Sequence, residues 1–175
     1  MATIFSLSVE CGADEASAKE FSRHFDNIEW VLANGQRSQL IVNLFQDIEE
    51  NWWCRIVPSG ISSLGIDTPE TAFMMTELGL MLYQRLKSAP SFRYALVGIE
   101  VDEFRTYSEL IENPSELNFP GLVIAENIWQ ELGSSRMFRA FSLGYVWKTY
   151  EGEVYKPLIT SLDLKNKLHE LLILQ

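Results

Sequence analysis

Thiol and imidazole chemistry is scarce in this chain, which holds two cysteines, Cys11 and Cys54, and two histidines, His24 and His169. Neither cysteine belongs to a CxxC pair, so no disulfide framework is supported and a structural zinc site lacks most of its ligands. Basic residues are few as well, with 14 Lys and Arg against 24 Asp and Glu. The resulting formal charge of −10 excludes a broad nucleic-acid or anionic-membrane surface, because phosphate binding needs clustered cations that release counterions. No stretch approaches the ~20 uninterrupted apolar residues of a membrane-spanning helix. Recognisable catalytic signatures are also missing. Gly60 and Gly65 lie in a Gly/Ser loop, but no Gly-Lys-Ser/Thr follows, and Pro69 removes an amide donor where a phosphate would need one. No Gly-x-Ser-x-Gly elbow anchors a hydrolytic triad around either histidine.

What the chain does have is apolar material. Hydrophobic residues make up 47% and aromatics 12% of its 175 positions, enough to bury a sizeable core in a single domain spanning residues 1–175. The alternation of Ser6 and Ser8 with Phe5, Leu7 and Val9 reads as a half-buried strand rather than an export signal. These features lead to the expectation of a cytoplasmic protein.

Phe92–Val101 (FRYALVGIEV) has no consistently polar face and predicts a central strand buried on both sides. Thr68 followed by Pro69 opens a helix to Lys87 whose apolar residues cover nearly its whole circumference, with Gly79 packed closely against the central strand. Upstream, Ala18, Phe21, Phe25, Ile28 and Leu32 recur at helical spacing. They predict a helix to Ala33, with Asn34-Gly35 as its stop, although the same dipeptide suits a hairpin turn. Gln39–Gln46 and Trp52–Val57 predict two strands, on which the adjacent Trp52 and Trp53 point to opposite faces.

A short helix is expected over Asp102–Glu112, a strand at GLVIA, a helix over Glu126–Leu132 and a final helix over Ser161–Ile173. Arg136–Leu158 predicts two strands joined by a tight turn at Glu151-Gly152. The succession indicates an α+β fold with a mixed, mainly antiparallel sheet covered by helices.

Two groups of residues are candidates for function. In the predicted hairpin, Tyr145, Trp147 and Tyr150 stand among Arg139 and Lys148, aromatics beside cations, which suits a protein-contact surface. At the central strand, Trp52, Trp53, Arg93, Glu100 and Asp102 are candidates for a small-molecule pocket. Glu100, Asp102 and Glu103 also suit a divalent metal, or else simply decorate a helix N-terminus.

The expectation is an interaction or regulatory protein, non-enzymatic and without cofactor or metal. It engages a protein partner or a second copy of itself as a homodimer, and neither nucleic acid nor membrane. Small-molecule binding is the alternative, and a metal-dependent hydrolase or transferase a more distant one.

Overall fold

The structure is a computed structural model, and it describes residues 4–61, 67–153, 166 and 169–171. Its elements run β1 (Phe5–Gly12), α1 (Glu15–Arg23), β2 (Glu29–Val31), β3 (Arg37–Gln46), β4 (Trp52–Pro58), α2 (Pro69–Leu86), β5 (Tyr94–Ile99), α3 (Tyr107–Glu112), a 3-10 turn (Pro114–Glu116), β6 (Val123–Ala125), α4 (Glu126–Glu131), β7 (Arg139–Ser142) and β8 (Tyr145–Trp147). The fold is α+β. Among the described residues eight strands form one sheet in the order β2-β3-β4-β1-β5-β6-β8-β7, and every pairing is antiparallel.

The sheet has two cores. On the first face Phe5, Leu7 and Val9 of β1 and Cys54 and Ile56 of β4 meet Phe21 and Phe25 near α1 and Met75, Leu78 and Leu82 of α2. The second face carries Trp53, Tyr94, Leu96 and Ile124 under Val101, Leu110, Leu117 and Ile128. β5 is buried on both faces, as its composition predicts, but it shares the centre with β1. The serine face of β1 is buried too, not half-exposed, because Val101 and the residues around it lie over that side.

Helix α1 starts where Asp14 accepts from the Ala16 amide at 3.1 Å. It stops at Arg23 rather than Ala33. Asn27 takes a left-handed backbone, φ 56°, and Glu29–Val31 pairs with Arg37–Gln39 instead. Asn34-Gly35 therefore serves the hairpin: the Leu32 amide donates to the Gln36 carbonyl at 2.8 Å, and Gly35 has φ 87°. Helix α2 starts as its sequence predicts, with Thr68 and Thr71 bonded reciprocally as a capping box and Pro69 at the first position.

Two further expectations change. The helix expected from Asp102 begins only at Tyr107, after the cap Thr106, because Glu100 and Glu103 have φ of 54° and 45°, which a right-handed helix does not admit. The first strand of the hairpin expected over Arg136–Leu158 is itself folded back at Leu143-Gly144, between β7 and β8, where Gly144 has φ 82°. The final helix over Ser161–Ile173 and the second strand of the expected hairpin lie largely outside the described residues.

The hydroxyl of Tyr83 on α2 fills a gap in the sheet. β5 pairs with β6 only at Tyr94 and Ala95; beyond that, the Val97 amide donates to the Tyr83 hydroxyl at 3.1 Å, which in turn donates to the Gly121 carbonyl at 2.7 Å. Burial pushes this phenol above its ordinary range. Around it stand Phe141, Trp147 and Tyr150, with ring centroids 5.0–6.1 Å away. Tyr150 is pinned by donating to buried Glu153 at 2.6 Å.

Gly79 is close-packed against Tyr150, not against the central strand. A methyl at Gly79 falls 2.5 Å from the Tyr150 hydroxyl and 2.9 Å from its Cζ. Gly79→Ala is therefore expected to destabilise by about 1–3 kcal/mol through overpacking, although Ala is the better helix former. Denaturant unfolding measures it, and a Gly79→Ala protein more stable than wild type would refute the close packing.

Candidate functional site

The second face of the sheet carries polar side chains that a buried surface must satisfy. Glu10, in the middle of it, has 0% exposure. Its carboxylate accepts from the Gly12 amide at 2.7 Å and from Arg93 Nε at 2.8 Å, and a second Arg93 N–H completes a bidentate pair. The guanidinium carbon lies 3.9 Å from the centroid of the Tyr107 ring, so one cation serves a carboxylate and an aromatic face. Gly12 has φ 86°, and a Cβ there would sit 3.5 Å from Arg93 Nε. Burial holds the Glu10 carboxyl above its ordinary value of 4.5, and Arg93 partly offsets this.

The polar network continues along the sheet. The indole of Trp53 donates to Asp47 at 2.7 Å, and Asp47 also accepts from the Glu49 and Asn51 amides, closing the turn after β3. Glu49 accepts from the Ser108 amide and hydroxyl at 3.2 and 3.0 Å, tying that turn to α3. Nearer the sheet's β2 edge, Asp102 pairs with Arg55 and accepts from Ser8 at 3.4 Å. Asn43, Leu44, Phe45, Arg55, Asp102 and Glu103 line an open depression of about 370 Å³.

The five residues expected to form a pocket do not converge. Trp52 and Trp53 point to opposite faces, and Trp53 is fully buried. Arg93 precedes β5 and Glu100 follows it, so the six residues of β5 separate them by about 20 Å. Asp102 stays with Glu103 but takes Arg55 as its cation.

The expected aromatic contact face is largely internal. Trp147 and Tyr150 are buried around Tyr83, because α2 crosses the sheet there, and so neither is available to a partner. Tyr145 is half-buried, stacked on Phe92 at 4.3 Å, and its hydroxyl donates to the Phe92 carbonyl and accepts from the Phe92 amide, both at 3.0 Å. Lys148 is half-buried with its ammonium on the Asn118 side chain, and Arg139 is exposed on β7.

One residue from each predicted group does meet. Arg93 and Tyr145 line a pocket of about 530 Å³ with Ser91, Phe92, Tyr107, Asn127 and Leu143. Among the described residues, no three of His, Cys, Asp and Glu stand together as a metal-ligand set. Cys11 and Cys54 are free, buried core residues, and burial pushes the Cys11 thiol up to about 12.

Sequence reasoning missed the Glu10–Arg93 pair. The available signal was a carboxylate at a strand position flanked by Val9 and Cys11, where a buried charge demands a cation. Replacing Arg93 by Met strands that carboxylate, with an expected loss of about 3–5 kcal/mol. A carboxyl whose folded-state pKa is raised holds a proton that the unfolded chain releases, so stability falls as pH climbs above 4.5 through the folded value. Without Arg93 the folded value rises further, and the deficit of Arg93→Met against wild type is larger at pH 7 than at pH 5. Urea denaturation at both pH values measures this, and equal deficits would show that Glu10 does not carry the buried charge.

The chain matches no protein-family model, no curated protein and no solved structure.

Proposed function

We propose that this is a cytoplasmic interaction protein that acts by stoichiometric contact with a basic protein partner. The observation that carries the reading is the segregation of charge. The layer over the second face holds Glu100, Glu103, Glu109, Glu112, Glu116, Glu126 and Glu131, all exposed. Its one base, Arg105, is 3.9 Å from Glu109 and lies over the Phe119 ring at 5.5 Å, so it is turned back onto the layer. Through Ser108 and Glu49 the acidic surface continues to Glu50. Such a single-sign field attracts and orients a cationic surface. It also disfavours a homodimer, since two copies of −10 repel each other.

Recovering the tagged protein from its host at low salt, followed by native mass spectrometry, identifies the partner. Glu112→Lys combined with Glu116→Lys, two exposed positions, is expected to weaken that complex by about tenfold or more at low salt and by less at high salt. Unchanged affinity in this double variant, measured by titration calorimetry, would remove the acidic layer from the contact.

A second reading, small-molecule binding, is favoured by the pocket where Arg93, Tyr107 and Tyr145 meet. A ligand at a hundred times its dissociation constant stabilises by about 2.7 kcal/mol, a measurable rise in melting temperature. Asn127→Trp, at the pocket wall, is expected to abolish that rise. A compound library that shifts neither protein would discard this reading.

A further inference from the structure

β2 protects only the first part of β3. Their pairing covers Arg37–Gln39, and the Leu40 amide still donates to the Ile28 carbonyl at 2.9 Å. Beyond Leu40 the partner ends. At the two ends of the β3–β4 ladder the Ser59 amide donates to the Gln39 carbonyl and the Asp47 amide to the Asn51 carbonyl, both at 2.9 Å. That phase turns Ile41, Asn43 and Phe45 toward β4 for hydrogen bonding and leaves Val42, Leu44 and Gln46 with N–H and C=O directed outward. Among the described residues no strand takes up those groups.

Sheet edges are ordinarily blunted by shortness, charge, proline or a bulge. The opposite edge, β7, has four residues, an exposed Arg139 and a bulge between Ala140 and Ser142. β2 has three residues and closes with the Arg37–Glu29 ion pair. The window Ile41–Gln46, Ile-Val-Asn-Leu-Phe-Gln, has no charge, no proline and an unbroken register with β4. At ~3.4 Å per residue it spans about 20 Å, the length of an ordinary strand. We infer that this outer edge of β3 receives an extended segment of the basic partner as a ninth strand of the sheet, an inference that rests on the contact reading above.

Charge complementarity selects that occupant. The window runs into the turn Asp47–Glu50, where Glu49 joins α3 through Ser108 and Glu50 is exposed. A second copy would have to pair about a twofold axis at Leu44, Val42 against Gln46, to keep both sets of outward groups bonded. Each acidic turn would then lie beside Ile41 of the other copy, while the base of that region, Arg37, is already held by Glu29. A strand with lysine or arginine at the end meeting the turn, and apolar residues beside Ile41–Phe45, satisfies both backbone and charge.

The probe is a synthetic peptide of about ten residues, three lysines followed by alternating Val and Thr, with the lysines replaced by glutamates as control. Amide hydrogen exchange read by NMR is expected to slow at Val42, Leu44 and Gln46 on adding the lysine peptide and to stay unchanged with the control. Gln46→Pro removes an outward amide from an exposed position and is expected to weaken binding about tenfold while leaving the β4 ladder intact. Protection confined to other amides overturns the assignment, and so do the same three amides already slow in the free chain, whether a monomer or a dimer. If the partner recovered from the host binds wild type and Gln46→Pro alike, the edge is wrong and the contact reading stands. If neither the peptide nor any basic partner binds wild type, the contact reading falls first.

Discussion

A carboxylate in the middle of a sheet with no exposure has to be met by a cation, and Glu10 is met by Arg93. Much of the second face follows from that requirement. Arg93 stands beside the first residue of β5, so the pair locks the register in which Glu10 faces Tyr94. Gly12 accepts a left-handed backbone at the β1 bulge and delivers its amide to the same carboxylate. The guanidinium then offers its flat side to Tyr107, the first residue of α3. From α3 the network passes through Ser108 and Glu49 to Asp47 and the indole of Trp53. Each polar group is satisfied by the next, and the acidic layer is thereby fastened to the sheet at several points rather than by apolar packing alone.

Local pattern was enough where one periodicity dominated. The start of α2, the strands β3 and β4 and the buried β5 are all legible because capping residues or unbroken apolar runs leave one consistent reading. Residues Ile28–Ala33 were ambiguous for a physical reason: their spacing fits a helix, while the left-handed Asn27 and pairing with Arg37–Gln39 make Glu29–Val31 a strand. The turn at Leu143-Gly144 was not read from sequence, because it depends on β8 finding a partner in β6, far off along the chain.

The candidate sites were harder still. Alternation separates Trp147 from Val146 but cannot say that both faces are covered, since α2 reaches that part of the sheet from far away in sequence. The meeting of Glu10 with Arg93, and of Arg93 with Tyr145, likewise depends on strand order, which no local pattern encodes.

The sheet is asymmetric along its strand order as well as across its faces. At β5 and β6 the second face offers Tyr94, Leu96 and Ile124, and the acidic layer closes over them. Toward β3 the same face offers Asn43, Arg55 and an Ile41 that is 49% exposed, so little apolar area remains to draw a covering element further. Among the described residues the layer ends there, and β3 is left with an open flank. Unprotected edges invite pairing between identical chains, which in most proteins selects for a charge or bulge on the strand itself. Here the charge sits beside the strand, in the turn and layer it runs into, where it opposes a second acidic copy and leaves the backbone free. The field that keeps this edge from pairing with itself is the field that favours a cationic strand.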